Sequence, residues 1–251
     1  PGGHLIRHRA FGWARKGFGG AEWLPNRGPG FIYRIGSISK SVTVVGLMSL
    51  VEQGILALTD LASAPPHNPQ PPDPHLSPSP LVARREELVP EVKDIEGYAD
   101  REPFTLEQLA SHTSGLDREP SSVDHSVGPP SHWEEKTLEG IKTAGWAFEP
   151  GKGWLYCNIG YAILGLAVAR AARAHGKADG FIELLEQRLF DPLGMSSSGY
   201  LVPEKDSHRL AEGHIVTKDG TLSELPKLDE AGRGYRVPNG GVYSTLEDLA
   251  S

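Results

Sequence analysis

Phe31 to Gly54, FIYRIGSISKSVTVVGLMSLVEQG, is the stretch on which the reading of this chain turns. A short apolar run, Phe31 to Ile35, leads into Gly36-Ser37-Ile38-Ser39-Lys40. Val44, Leu47, Met48 and Val51 then recur at helical spacing, which predicts a helix with these four facing a core. Gly54 suits the left-handed position that ends such a helix. Ser37 and Lys40 stand three apart, so on a helix they share a face and the amine lies beside the hydroxyl. A serine hydroxyl is a poor nucleophile until a nearby base takes its proton. A buried lysine does this if desolvation lowers its pKa enough to populate the neutral amine. A helix N-terminus adds backbone N–H groups that hold a developing oxyanion. A plainer reading has Ser37 as a helix cap and Lys40 as a solvated first-turn residue. Taken alone, S-x-x-K favours the plainer reading, because serine is a preferred cap.

A second group of polar residues lies in Gly153 to Gly165, GWLYCNIGYAILG. A tyrosine beside a protonated lysine loses its phenolic proton more easily, so Tyr156 suits a base towards Ser37 and an acid towards a leaving group. Asn158 offers both a donor and an acceptor to a substrate amide or carbonyl. The plainer alternative is a core-edge tyrosine, a loop asparagine and Cys157 as a small buried residue.

Outward from these groups, residues 4–11 read as a short strand and Gly12 to Gly30 as a glycine-rich loop. Thr105-Leu106-Glu107-Gln108 is a capping box opening a short helix that is expected to end at Ser114-Gly115. Phe148-Glu149-Pro150-Gly151 is a turn. Gly160 to Ala174 reads as an alanine-rich apolar helix and Phe181 to Phe190 as an amphipathic one, stopped by Asp191-Pro192 and Leu193-Gly194. His214 to Thr221 suggests a hairpin around Asp219-Gly220. Ser244-Thr245-Leu246-Glu247 is read as a second capping box. The whole of 1–251 reads as a single domain interrupted by an insertion or linker over 63–83. Within it, Pro65 to Pro80, PPHNPQPPDPHLSPSP, is half proline and has too little apolar surface to fold alone.

Composition excludes several classes. No apolar run approaches the roughly 20 residues of a membrane helix. Lys and Arg are scattered and the net charge is −7, which argues against a nucleic-acid footprint. One cysteine forbids an internal disulfide and leans towards a reducing, cytoplasmic interior. The histidines show no HExxH or paired Cys/His spacing, so no metal is expected. The G-x-S-x-G elbow of α/β-hydrolases is absent, and Gly17-Phe18-Gly19-Gly20 lacks the spacing of a nucleotide loop.

Five motifs now stand in order: GSISK, His112-Thr113-Ser114-Gly115-Leu116, YCNIGYAILG, DPLGM and GGVYSTLEDLA. In that order the chain resembles the serine β-lactamase-like superfamily: class C β-lactamases, DD-peptidases and related esterases. The resemblance implies an α+β fold of the β-lactamase/transpeptidase type, with a helical lobe and an antiparallel sheet lobe. It implies that Ser37 is acylated, that Lys40 and Tyr156 share the proton transfers, and that Asn158 orients substrate. His112 to Leu116 would be a structural turn, and no cofactor is implied. The family's Lys/His-x-Gly strand normally follows the YSTLEDLA helix by many tens of residues, so we expect a chain truncated at both ends with an incomplete sheet lobe. Lys218-Asp219-Gly220 precedes that helix and fits the hairpin turn instead. The expected activity is hydrolysis or acyl transfer on a small-molecule or peptide acyl substrate: a small ester, a D-amino-acid peptide or a β-lactam. An esterase type is preferred, because the proline-rich segment and the lack of a leader fit poorly with a secreted lactamase. The alternative is an inactive binding or regulatory homologue, or an inactive fragment. Oligomeric state is left open.

Overall fold

The computed structural model describes residues 9–15, 24–25, 28–64, 87–122, 124–220, 222–224 and 233–251. The described order begins with the antiparallel pair β1 (Trp13–Arg15) and β2 (Leu24–Pro25), then β3 (Tyr33–Arg34) and α1 (Ser39–Glu52). Next come α2 (Leu106–Ala110), α3 (Trp133–Ile141), the long α4 (Asn158–Ala174) and α5 (Phe181–Leu185). The hairpin of β4 (His214–Val216) and β5 (Leu222–Glu224), then α6 (Val237–Gly240), β6 (Tyr243–Ser244) and α7 (Leu246–Leu249) complete it.

Every residue of α4 from Ile159 to Ala169 is buried. A helix that is apolar all round has no solvent face to offer and must lie inside. Helices α1, α2, α3, α5 and α6 all pack on it. Small residues make the close approaches possible: a Cβ on Gly46 of α1 would lie 3.1 Å from Leu185, and one on Gly165 of α4 would lie 2.4 Å from the Pro238 ring. Among the described residues the sheet component is three two-stranded antiparallel pairs. In one of them β3 pairs with β6 (Tyr33↔Ser244, Arg34↔Tyr243), and because β3 lies just before α1 in the chain the pair sets the entry of that helix. The architecture is α+β, as the sequence suggests, and it is dominated by helices.

Several local expectations are corrected. The buried face of α1 is Val42, Thr43, Gly46, Leu47 and Leu50 together with Ser39 and Lys40, and Met48 is exposed. Hydrophobic periodicity missed this face because three of its members are polar and one is glycine. The expected end at Gly54 holds: its φ is 66° and Ile55 N–H bonds Leu50 O at 2.9 Å. The capping box at Thr105 and Gln108 is formed, but α2 stops at Ala110 rather than Gly115, because His112 turns the chain with φ 64°. The last helix is capped by Thr245, whose hydroxyl accepts from Asp248 N–H, and not by Ser244. Ser244 is buried in β6 and bonded to Ser198 at 2.7 Å. The Phe181 to Phe190 helix becomes a π-turn over Glu186–Phe190 before ending.

Of the strand expected over 4–11, residues 1–8 lie outside the described residues and 9–11 are irregular. The expected loop 12–30 contains the β1–β2 hairpin. Residues 65–83 of the proline-rich segment also lie outside the described residues, but its flanks are informative. Leu88 N–H bonds Ala64 O at 3.0 Å and Val89 N–H bonds Ala62 O at 2.7 Å, so the chain leaves and re-enters at one point. No helix among the described residues is long and apolar enough to cross a membrane.

Candidate active site

Ser37 is exposed on a single 3₁₀ turn, Gly36–Ile38, directly ahead of α1. Gly36 has φ 53°, a backbone conformation that L side chains rarely adopt. The turn is pinned from below by Ser39, whose buried hydroxyl donates to Gly36 O at 2.7 Å and accepts from Val242 N–H at 3.0 Å. Ile35 N–H bonds Val242 O at 3.1 Å, so the strand pair and the head of α1 form one unit. The helix-cap reading of Ser37 therefore fails, since the N-cap position of α1 is Ile38 and carries no side-chain cap.

Lys40 is 6% exposed, which also removes the solvated alternative. Its Nζ donates to Asn158 Oδ1 at 2.8 Å, to the Asn239 carbonyl at 2.9 Å and, more weakly, to Ser37 Oγ at 3.4 Å. It lies 4.6 Å from the centre of the Tyr156 ring and 5.4 Å from that of Tyr161. Burial lowers its pKa, and the phenol of Tyr156 and the negative charge of Glu119 oppose the shift without cancelling it.

Tyr156 sits just before α4. Burial pushes its phenol up, but hydrogen bonds to Lys40 and Ser37 and the positive charges of Lys40 and Arg118 bring the net shift below the ordinary value. Its ring stacks on His112, with centroids 4.6 Å apart. His112 Nδ1 accepts from Cys157 N–H at 3.0 Å, and burial together with the Lys40 charge lowers its pKa, so the ring stays neutral. Cys157 caps α4 through Gly160 N–H to Sγ at 3.1 Å, donates to Asp117 O at 3.0 Å, and is pushed up by burial to about 12. Asn158 opens α4. Its Oδ1 faces Lys40 and its Nδ2 donates to Glu119 Oε1 at 2.5 Å.

The four residues singled out in the sequence, Ser37, Lys40, Tyr156 and Asn158, thus meet at the heads of α1 and α4. Sequence reasoning missed Asn239, His112 and Glu119. Asn239 looks like a turn residue in Val-Pro-Asn-Gly, and contributes through its backbone carbonyl, which no side-chain motif reveals. His112 was read only as part of a turn. The arrangement presents a hydroxyl beside an amine of lowered basicity and a phenol of raised acidity, at an exposed helix head. That set can activate the hydroxyl and pass its proton on.

The family described as Beta-lactamase matches residues 2–251. The D-alanyl-D-alanine-carboxypeptidase/endopeptidase AmpH of Escherichia coli is 30% identical over 225 residues, 87% of this chain and 47% of that protein. Lovastatin esterase of Penicillium rubens is 26% identical over 253 residues, 97% of this chain and 55% of that protein. Among solved structures, FmtA from Staphylococcus aureus aligns with a TM-score of 0.63 at 21% identity, covering 90% of this chain and 52% of that one, a likeness of fold. The chain spans about half the length of these relatives.

Proposed function

The chain belongs to the beta-lactamase family, and from that premise we propose that it acts as a serine hydrolase through a covalent ester on Ser37. The observation that carries this reading is the contact of Ser37 Oγ with the buried Lys40 amine at 3.4 Å, flanked by a phenol of lowered pKa that bonds both residues. In the first step Ser37 Oγ forms a bond to the substrate carbonyl carbon while its proton passes to the Lys40–Tyr156 pair. The Ser37 N–H at the helix head stabilises the oxyanion. Collapse breaks the bond to the leaving oxygen or nitrogen, which takes the same proton from Tyr156. Water then attacks the acyl carbon, gives its proton to the pair, and the departing Ser37 Oγ recovers it.

The substrate is an ester or amide: a small ester, a D-amino-acid peptide or a β-lactam. Esters with an apolar portion suit the rim best. Ile38, next to Ser37, is 54% exposed, and Trp154, edge-on to His112, is 65% exposed. The test is intact-mass spectrometry after exposure to a fluorophosphonate and, separately, to penicillin, with Ser37→Ala as control. A single adduct lost in Ser37→Ala is expected. A folded chain that takes no adduct from either reagent rules the reading out and leaves a binding homologue.

A further inference from the structure

An asparagine amide has two unlike ends, and the site needs one of them to face Lys40. While Lys40 carries three protons it selects the end itself, since an ammonium only donates and must meet Oδ1. Once it has lost a proton the amine also accepts, and Asn158 Nδ2 would serve equally well. Something else must then hold the amide. We propose that Glu119 is a positioning residue that keeps Asn158 Oδ1, and not Nδ2, turned to Lys40 in both protonation states. The proposal rests on the Ser37 reading above for its catalytic meaning, though not for its geometry.

A carboxylate only accepts, so Glu119 Oε1 can bond Nδ2 and would repel Oδ1. Its other oxygen, Oε2, accepts a hydrogen bond from the phenol of Tyr235, which is 1% exposed and cannot follow solvent. Arg118 Nε lies 3.9 Å from Oε1 on the outer side. The chain then returns to Lys40. Asn239 Nδ2 donates to the carbonyls of Tyr235 at 3.3 Å and Asn158 at 3.2 Å, and the Asn239 carbonyl accepts from Lys40. Lys40, Asn158, Glu119, Tyr235 and Asn239 therefore close a ring of hydrogen bonds. Glu119 is its one anion and Lys40 its one cation, joined through an amide rather than by direct contact. The groups that bear on Lys40 are Tyr156, Tyr161, Cys157, His112 and Glu119. Glu119 raises its proton affinity, so neutralising Glu119 should move the pH profile of Ser37 reactivity to lower pH.

The chain contains four asparagines, so a [15N]Asn-labelled sample gives four side-chain amides, and the Asn158 pair is identified by its loss in Asn158→Asp. Glu119→Gln should shift the Asn158 amide signals, and Tyr235→Phe, which removes only a hydroxyl, should shift them in the same sense. In parallel, the rate of fluorophosphonate labelling at Ser37 should fall about 10- to 100-fold in Glu119→Gln, the scale of a misplaced catalytic group, with its pH profile displaced downward. Unmoved Asn158 signals in Glu119→Gln, or labelling at the wild-type rate and pH profile, would overturn the proposal. A wild-type chain that does not label refutes the hydrolase reading instead, and the amide signals then decide alone whether Glu119 sets the orientation of Asn158.

Discussion

Replacing Gly165 with alanine should disturb the active site from the far side of α4. A Cβ there would lie 2.4 Å from Pro238 Cγ and 2.6 Å from Pro238 Cβ, whereas ordinary contact begins at 3.4 Å. The proline ring cannot rotate away, so α6 must retreat by about 1 Å, a shift that overpacked cores resist at about 1–3 kcal/mol. That movement also strains the 2.6 Å bond from Thr43 Oγ1 to Pro238 O, at a cost of about 1 kcal/mol. Alanine in a helix recovers up to about 1 kcal/mol relative to glycine. The net loss is about 2 kcal/mol, which for a chain of this size lowers Tm by about 4–8 °C. Pro238 is followed by Asn239, whose carbonyl holds Lys40 at 2.9 Å, so the phosphonate labelling rate at Ser37 should fall as well. Calorimetry and the labelling assay measure the two effects on one sample. Combining Gly165→Ala with Pro238→Gly removes the clash, and the double variant should be more stable than the two single losses add up to. A Gly165→Ala chain with unchanged Tm and labelling would refute this coupling of α4, α6 and Lys40.

Other tests follow from single contacts. Ser39→Ala leaves the buried Val242 N–H without its acceptor, a loss of about 1–3 kcal/mol that urea denaturation should detect. Burial pushes the Glu91 carboxyl up, but its paired bonds of 2.7 Å to Arg170 hold it net below its ordinary value. Its contribution is therefore present above the unfolded-state value of 4.5 and is lost as pH falls through the lower folded-state value. Glu91→Gln should lower stability by about 1 kcal/mol at neutral pH, a small figure because the pair is partly exposed, and the deficit should shrink at pH 3, read as urea midpoints. Cys157 should not react with a disulfide reagent in the native chain, and one thiol should appear on denaturation, because burial keeps it protonated. Replacing residues 65–86 by a short glycine-serine link should leave Tm within about 2 °C, since loop length weighs little on closure entropy and the flanks already meet at Ala64 and Leu88; a larger fall would show that the segment contributes to the fold.

What the sequence made legible follows the range of each signal. The Thr105–Gln108 capping box, the glycine stop at 54 and the hairpin at Asp219-Gly220 depend on neighbours within a few residues, and each is present. The face of α1 was misjudged because its buried side is shaped by Pro238, Leu185 and Asn158, which lie far along the chain. Ser37, Lys40, Tyr156 and Asn158 could be singled out because their motifs are short and ordered, and the fold brings the four together. Glu119 and Tyr235 were not, since nothing in Asp-Arg-Glu-Pro or Gly-Tyr-Arg-Val signals that 116 residues apart they are hydrogen-bonded. Asn239 acts through a carbonyl, and every residue has one.

The partners of Lys40 differ in kind, and the difference gives the amine a direction. The Asn158 oxygen and the Asn239 carbonyl can only accept, whereas the Ser37 hydroxyl can also donate. A neutral amine keeps two N–H bonds and one lone pair. The two N–H bonds are claimed by the two obligate acceptors, because a lone pair aimed at either would be repelled. The lone pair is left to point at a hydroxyl, that of Ser37 or the Tyr156 phenol, both of which can donate. Whichever proton the ammonium loses, rotation about the Cε–Nζ bond restores the same outcome, so on the proposed reading the basic face of the amine is always turned to the two hydroxyls and away from the two amide oxygens.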